Sequence, residues 1–433
     1  MSEAPAEQAT PELPLLQSPR AKVHFITDLN QLEQAVKELM ASSGAVAIDA
    51  ERASGFKYSQ RAYLIQLRAS NTDIFLIDPV SVPGILDAKP YQELTKALKD
   101  RQWILHAATQ DLACLAEIGL RPGAIFDTEL AARLAGQPRV GLGALTENLL
   151  NYRLAKEHSA ADWSTRPLPA GWLNYAALDV DVLHELADAV GALLKEQGKD
   201  SWAEEEFSAL LSFTPRPQRP DRWRGITGLS KVADRNSLEI ARRLWLAREE
   251  LAQKMDVSPG RLIPDSSILV AATSKPKTRP ELASMKTFSG RASRSYLDYW
   301  WDAVQSAHRA TELPSLKPEK TDALPNHRNW VNKFPEADRR LKLAKAALIQ
   351  VSEKQLVPLE NLLTPEILRQ LSFTPPFELV PDAISKKLLE LGARSWQTKQ
   401  TSAVITEAFS LAEKSPAEPT VTGPTASDEH EEL

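Results

Sequence analysis

The sequence predicts an α/β domain with a mixed sheet, followed by a half that is all helix, and three observations predict it. Apolar runs of strand length stand at Val23-His24-Phe25-Ile26, at residues 45–49, at Tyr63-Leu64-Ile65-Gln66-Leu67 and at Ile74-Phe75-Leu76-Ile77, the last two joined by the turn Ser70-Asn71-Thr72-Asp73. Strand and helix signals then alternate: a helix over 91–99, a strand at Trp103-Ile104-Leu105, and helical periodicity after it. Strands that pair in a meander and then alternate with helices make a mixed sheet. Past Glu206 the composition changes, with Thr214-Pro215-Arg216-Pro217-Gln218-Arg219-Pro220 reading as a linker and the stretch to about residue 405 as helix.

A chain of 433 residues holds more than one ordinary domain, and a hydrophobic content of 43% is enough for several cores. A single cysteine, Cys114, excludes a disulfide framework and a cysteine-based zinc site and fits a reducing, cytoplasmic setting. It lies in an apolar helical run, which suits a small buried residue better than a nucleophile. There is neither a basic stretch leading into an apolar one at the start nor a run of 18 apolar residues, so neither a secretion signal nor a membrane span is expected. The net charge of −5 hides an asymmetry. Residues 216–399 hold 32 Lys and Arg against 21 Asp and Glu, a balance of +11, and the remainder holds 20 against 36, a balance of −16. A basic half beside an acidic one suggests a polyanion held by one part and worked on by the other.

The acidic residues are placed by periodicity. Asp28 caps a helix running to about Met40, with Leu32, Ala35, Val36 and Leu39 on one face. The next strand ends in Asp49-Ala50-Glu51, and alternation turns Asp49 and Glu51 to the same side. Two carboxylates so close repel unless neutralised, and a hard divalent cation with oxygen ligands is the usual neutraliser. The pattern alone also fits a strand that turns polar as it leaves the core. Asp111 follows the Trp103–Leu105 strand in the first turn of a helix, where the helix dipole alone would stabilise it. Tyr175 and Asp179 are four apart on a helix with a stripe at Leu178, Val182, Leu183 and Leu186, and so share a face. Asp181, Glu185 and Asp188 are assigned to the solvated face.

The segments AIDAERASGFKYSQRAYLIQL, ILHAATQDLACL and HSAADWSTRPLPAGWLNYAALDVDVL resemble, in order and spacing, the three exonuclease motifs of the DEDD superfamily in its tyrosine-bearing branch, over about residues 25–210. The family they resemble most is ribonuclease D. That resemblance implies a ribonuclease H-like mixed sheet and a 3′-5′ exoribonuclease that releases nucleoside 5′-monophosphates. It also implies that Asp49, Glu51, Asp111 and Asp179 hold two divalent metals, Mg²⁺ or Mn²⁺, and that Tyr175 helps to place the attacking water. A phenol with a pKa near 10 orients water better than it deprotonates it. The acids do not test the sugar, so a DNA exonuclease of the same superfamily and a non-catalytic RNA-binding adaptor are the rival readings. Basic and aromatic side chains near the motifs, Arg52, Lys57, Arg61, His106, Lys156, His158, Trp163 and Arg166, are candidates to hold a single strand by phosphate pairing and stacking.

In the helical half, Ser258-Pro259-Gly260-Arg261-Leu262 parallels Val357-Pro358-Leu359-Glu360-Asn361, the prolines lying 99 apart (358 minus 259). The repeated unit resembles tandem HRDC domains, which bind nucleic acid. The expected organisation is a disordered stretch over 1–20, an exonuclease domain over 21–212, a linker over 213–222, HRDC-like bundles over 223–315 and 316–410, and a disordered acidic tail over 411–433. Trp300, Trp301 and Trp330 fit helix packing better than base stacking. The expected partner is RNA with a free 3′ end, tRNA precursors foremost, with no membrane.

Overall fold

The computed structural model describes residues 13–155, 160–215, 221–317 and 324–414. They form two compact units. One holds the residues up to Ala132, Arg139–Glu196 and Phe207–Thr321; the other holds Arg133–Pro138, Gln197–Glu206 and the residues from Asp322 on.

The first unit opens with β1 (Leu15–Leu16), β2 (Val23–Ile26) and α1 (Leu29–Ala41). Asp28 caps α1, its side chain accepting from the Gln31 backbone N–H, and Leu32, Ala35, Val36 and Leu39 are buried as the periodicity requires. Then come β3 (Val46–Arg52), β4 (Ala62–Ala69), β5 (Ile74–Ile77), α2 (Lys89–Lys99), β6 (Gln102–Leu105), α3 (Leu112–Glu117), β7 (Ala124–Asp127) and α4 (Thr128–Leu134). The strands β2 to β7 form one sheet in the order β2-β5-β4-β3-β6-β7. The β3–β4 and β4–β5 pairs are antiparallel and the others parallel, the expected mixed sheet. From the sequence no strand is expected after Leu105. β7 is only four residues long, too short for alternation to stand out beside the helical signal around it.

Each face of the sheet carries its own core. Val46, Ile48 and Ala50 of β3 join one with α1, α2 and α3. The other face, starting from Ala47, packs on α6 (Ala170–Asp181) and α7 (Leu183–Glu196), which follow the short α5 (Leu142–Leu145) and β8 (Arg153–Leu154). Between Glu51 and Arg52 the register of β3 on β4 shifts: Glu51 stands opposite Leu64 and Arg52 opposite Ala62, leaving Tyr63 over. Such a bulge re-aims the chain at a strand end.

Part of the expected disorder before residue 21 is corrected. β1 pairs in parallel with β8, and the Asn174 side chain donates to the Gln17 carbonyl, because the backbone of residues 15–17 finds hydrogen-bond partners on the main body. The rest of that stretch, much of the expected linker and the tail from Ser415 lie outside the described residues.

Past α8 (Asp200–Leu210) the chain is helical. In the first unit α9 (Arg235–Met255), α10 (Pro259–Leu262), α11 (Asp265–Ser274) and the helix Leu297–His308 close around Phe288 and Trp300, both fully buried. In the second unit the helices Pro335–Gln355, Pro381–Glu390 and Ser395–Lys414 bury Trp330, Trp396 and Phe409. The predicted repeat is visible in the backbone: each bundle runs from a 21-residue helix through a short helix near a proline to a longer one.

Candidate active site

Alternation along β3 builds the site. Ile48 and Ala50 enter one core, so Asp49 and Glu51 face the side covered by α6. Ala176, Ala177 and Val180 of α6 pack on that side, and Tyr175 and Asp179 come with them, one turn apart. One carboxylate oxygen from each of Asp49, Glu51 and Asp179 lies within 4.8 Å of the other two. Asp111, at the end of the turn after β6, is 5% exposed and shares a hydrogen bond with the Asp49 carboxyl. These four acids and Tyr175 line one cavity of about 480 Å³, together with Arg52, Ser54, His106, Gln110 and Glu129.

The electrostatics follow from crowding like charges out of water. Burial, then repulsion from Asp49, Asp179 and Asp111, pushes the Glu51 carboxyl up to about 10. Burial raises Asp49 even though the Ala50 backbone N–H and the Asp111 carboxyl donate to it. Asp111 and Asp179 are also raised, by burial first and by Asp49 second. The Tyr175 phenol is pushed well above its usual value, by burial and then by Asp179 and Glu51, and it donates to Asp179. Four carboxyls held this way suit a hard cation that takes oxygen ligands, and the donor set therefore fits divalent metal. A cation stands beside them: Arg52 Nε lies 4.0 Å from Asp111 Oδ1.

Two further acids hold the frame, and the sequence reading missed the role of both. Asp127, 3% exposed at the end of β7, accepts the backbone N–H groups of Ala107, Ala108, Glu129 and Leu130. It thereby fixes the turn into Asp111, where Ala107 takes a left-handed backbone (φ 59°), and caps α4. An Asp just before a helical run is a cap signal that could have located it. Beside it, the Thr128 hydroxyl gives its proton to the Leu105 carbonyl, so His106 Nδ1 donates to Thr128 Oγ1 at 2.9 Å. Asp181, assigned from sequence to a solvated face, is instead 1% exposed. Arg20 and Arg68 both pair with its carboxylate and both donate to its carbonyl, at the C-terminal end of the helix that carries Tyr175 and Asp179.

The candidate strand-binding residues divide. Arg52 and His106 line the cavity. Lys57 lies in the loop that follows β3, and exposed Arg61 stacks over the Tyr63 ring at 4.8 Å. Trp163 and Arg166 are corrections. Trp163 is fully buried against Trp172, with no face left for a base. The Arg166 guanidinium is engaged with buried Asp78, at 2.7 Å from each carboxylate oxygen, and with the Tyr63 carbonyl. Lys156 and His158 lie outside the described residues. Cys114 is the buried residue expected: its thiol donates to the Asp111 carbonyl, and burial pushes it up to about 12.

Three family models match the chain: a 3′-5′ exonuclease over residues 23–195, an HRDC domain over 237–304 and a 3′ to 5′ exonuclease C-terminal domain over 323–409. The first bundle is thus matched as HRDC and the second by a differently described model. Ribonuclease D of Desulfotalea psychrophila is 32% identical, over 76% of this chain and 83% of its own length. Ribonuclease D of Zymomonas mobilis is 30% identical, over 68% of this chain and 76% of its own. Among solved structures, a protein from Bifidobacterium adolescentis superposes with a TM-score of 0.83 at 36% identity, covering 92% of this chain and all of its own (100%). Escherichia coli RNase D shares the fold, with a TM-score of 0.65 at 22% identity over 90% of this chain and 99% of its own. With a mixed sheet that carries an acidic cavity, a helical half after it, and relatives of one kind matched over most of their length, the chain belongs to the ribonuclease D family of 3′-5′ exoribonucleases.

Proposed function

We propose that Asp49, Glu51, Asp111 and Asp179 are the catalytic acids of this exoribonuclease, that they hold two divalent ions, Mg²⁺ or Mn²⁺, and that Tyr175 orients the water. The observation that carries the reading is the gathering of four raised carboxyls and one phenol around a single cavity. When bound, the metals supply an ionised water at neutral pH and stabilise charge on the leaving oxygen. The chain's own residues do the rest. Asp49, which lies beside Glu51 and Asp179 and is hydrogen-bonded to Asp111, would be the ligand common to the set. The phenol of Tyr175 keeps its proton, because burial and the acids around it raise it, so it acts as a hydrogen-bond donor or acceptor and not as a base. Arg52, which lines the cavity, offers a cation to the phosphate backbone. Hydrolysis adds water to the last phosphodiester and frees a nucleoside 5′-monophosphate, leaving a new 3′ hydroxyl.

The substrate we infer is RNA with a free 3′ end, tRNA precursors foremost. Support comes from the charge of the helical half, +11 (32 against 21) over residues 216–399. The domain limits we propose are an exonuclease domain over 21–212 and helical modules over 223–315 and 316–410. Among the described residues no helix is long and apolar enough to cross a membrane. We infer a cytoplasmic setting from the single buried, unreactive thiol. The test is incubation of 3′-extended tRNA and of DNA of the same sequence with Mg²⁺ or Mn²⁺, with sizing of the products. Mononucleotides released from the RNA by the wild type but not by Asp49→Asn support the reading; equal activity in that variant overturns it.

A further inference from the structure

The loop that follows the acidic strand is held from outside its own sheet. α9 ends at Asp256, whose backbone is left-handed (φ 48°, ψ 50°) although it is not glycine. A residue with a Cβ stays in that conformation where its surroundings fix it. Here the surroundings are residues 55–63. One Asp256 carboxylate oxygen accepts the Ser59 backbone N–H at 2.8 Å and the other accepts the Tyr63 hydroxyl at 3.2 Å. Tyr63 is the residue left over by the register shift in β4. Next to this corner the Ser258 backbone N–H donates to the Phe56 carbonyl at 2.9 Å. Arg261 donates to the Gly55 carbonyl at 2.8 Å and lies 4.1 Å over the Phe56 ring. The loop in turn reaches the cavity, since Ser54, which lines it, is hydrogen-bonded to Gln60.

The second bundle has the same corner. Leu356, 100 residues on (356 minus 256), also ends a 21-residue helix with a left-handed backbone (φ 53°, ψ 41°). There Gly136 comes so close that a Cβ on it would lie 2.7 Å from the Leu356 carbonyl oxygen. Lys199 donates to the carbonyls of Gln355 and Leu134, at 2.6 and 2.7 Å. In both repeats the corner meets a segment from the first 212 residues of the chain, and in the first the corner residue itself supplies a carboxylate to it.

We propose that Asp256 is a positioning residue: it ties the first helical bundle to the loop at the mouth of the acidic cavity, so that RNA gripped by the bundle presents its 3′ end to the acids. The proposal rests on the reading of the cavity given above. Asp256→Gly is the informative variant, because glycine takes a left-handed backbone freely and only the carboxylate contacts are lost. Asp256→Asn keeps one oxygen for the Ser59 N–H. Two readouts are needed: hydrogen exchange at the Ser59 amide, which is independent of catalysis, and kcat and KM on a stem-loop RNA with a single-stranded 3′ extension and on a dinucleotide. The expected result is faster Ser59 exchange in Asp256→Gly, near-normal exchange in Asp256→Asn, and a KM for the stem-loop that rises about tenfold in Asp256→Gly, with the dinucleotide KM within about twofold of the wild type. Wild-type exchange at Ser59 in Asp256→Gly, or KM values for the two substrates that stay level or rise together, would overturn the coupling while the wild type remains active. A wild type that hydrolyses neither substrate would overturn the cavity reading and the coupling with it.

Discussion

The carboxylate of Asp127 lies 2.8 Å from the backbone nitrogen of Ala108, three residues before the acidic pocket's Asp111. One buried acid thus sets the backbone from which another reaches the cavity. Asp127→Asn turns an amide NH₂ toward backbone N–H donors and breaks part of that set. It is expected to weaken divalent-metal affinity about 10–100-fold, the usual cost of disturbing a group behind the ligands. Calorimetric titration with Mn²⁺ checks this; wild-type affinity would show that the turn holds itself.

Asp49→Asn removes one ionisable carboxyl from a crowded set. Without metal the variant should melt about 2–4 °C higher, corresponding to ~1 kcal/mol of relieved repulsion. Hydrolysis should be lost at the same time. A melting temperature that falls would mean that Asp49 is held by contacts stronger than the repulsion around it.

Metal and protons compete for the cavity. The Glu51 carboxyl, at about 10 in the folded chain, sits near 4.3 when unfolded. Between these values the metal-free fold binds more protons than the unfolded chain, so its stability falls as pH rises across that window. Metal binding must then release protons. The gain in melting temperature on adding Mn²⁺ is therefore expected to be larger at about pH 8 than at about pH 6. A gain independent of pH would argue against carboxyls that are protonated before metal enters.

Arg166 makes the opposite case. It reads from sequence as a strand-binding cation, yet it neutralises Asp78, whose side chain is fully buried. Burial pushes the Asp78 carboxyl up, but Arg166, Ser81 and the Val80 and Ser81 N–H groups outweigh it and hold it below its usual value. That contribution is present above about pH 4 and is lost as pH falls through the lowered folded value. Arg166→Ala should cost about 3–5 kcal/mol, read from urea unfolding at neutral pH, because it leaves a buried carboxylate without its counter-charge. RNA affinity of the folded variant should be unchanged.

What was legible in the sequence was what short-range periodicity encodes. Alternation placed Asp49 and Glu51 on one side of a strand, and helical spacing placed Tyr175 beside Asp179. The convergence of the two pairs was implied only by family resemblance, since no local pattern brings residue 179 to residue 49. Local patterns also failed wherever a distant partner decides burial. Asp181 looks solvated until Arg20 and Arg68, 161 and 113 residues away, close over it. Trp163 looks like a stacking platform until Trp172 and the sheet cover it. The left-handed corners at Asp256 and Leu356 carry no glycine to announce them.

The pairing of Arg20 with Asp181 bears on how shortened versions of this polypeptide will behave. A fragment starting at Lys22 would keep every strand of the large sheet, the four acids and Tyr175. It would nonetheless leave the buried Asp181 to Arg68 and release the backbone bonds that the Arg153 and Ala155 N–H groups make to the Pro14 and Leu16 carbonyls. Truncation for crystallisation or tagging therefore reaches the helix bearing Tyr175, even though the cut falls well before the first acid of the pocket.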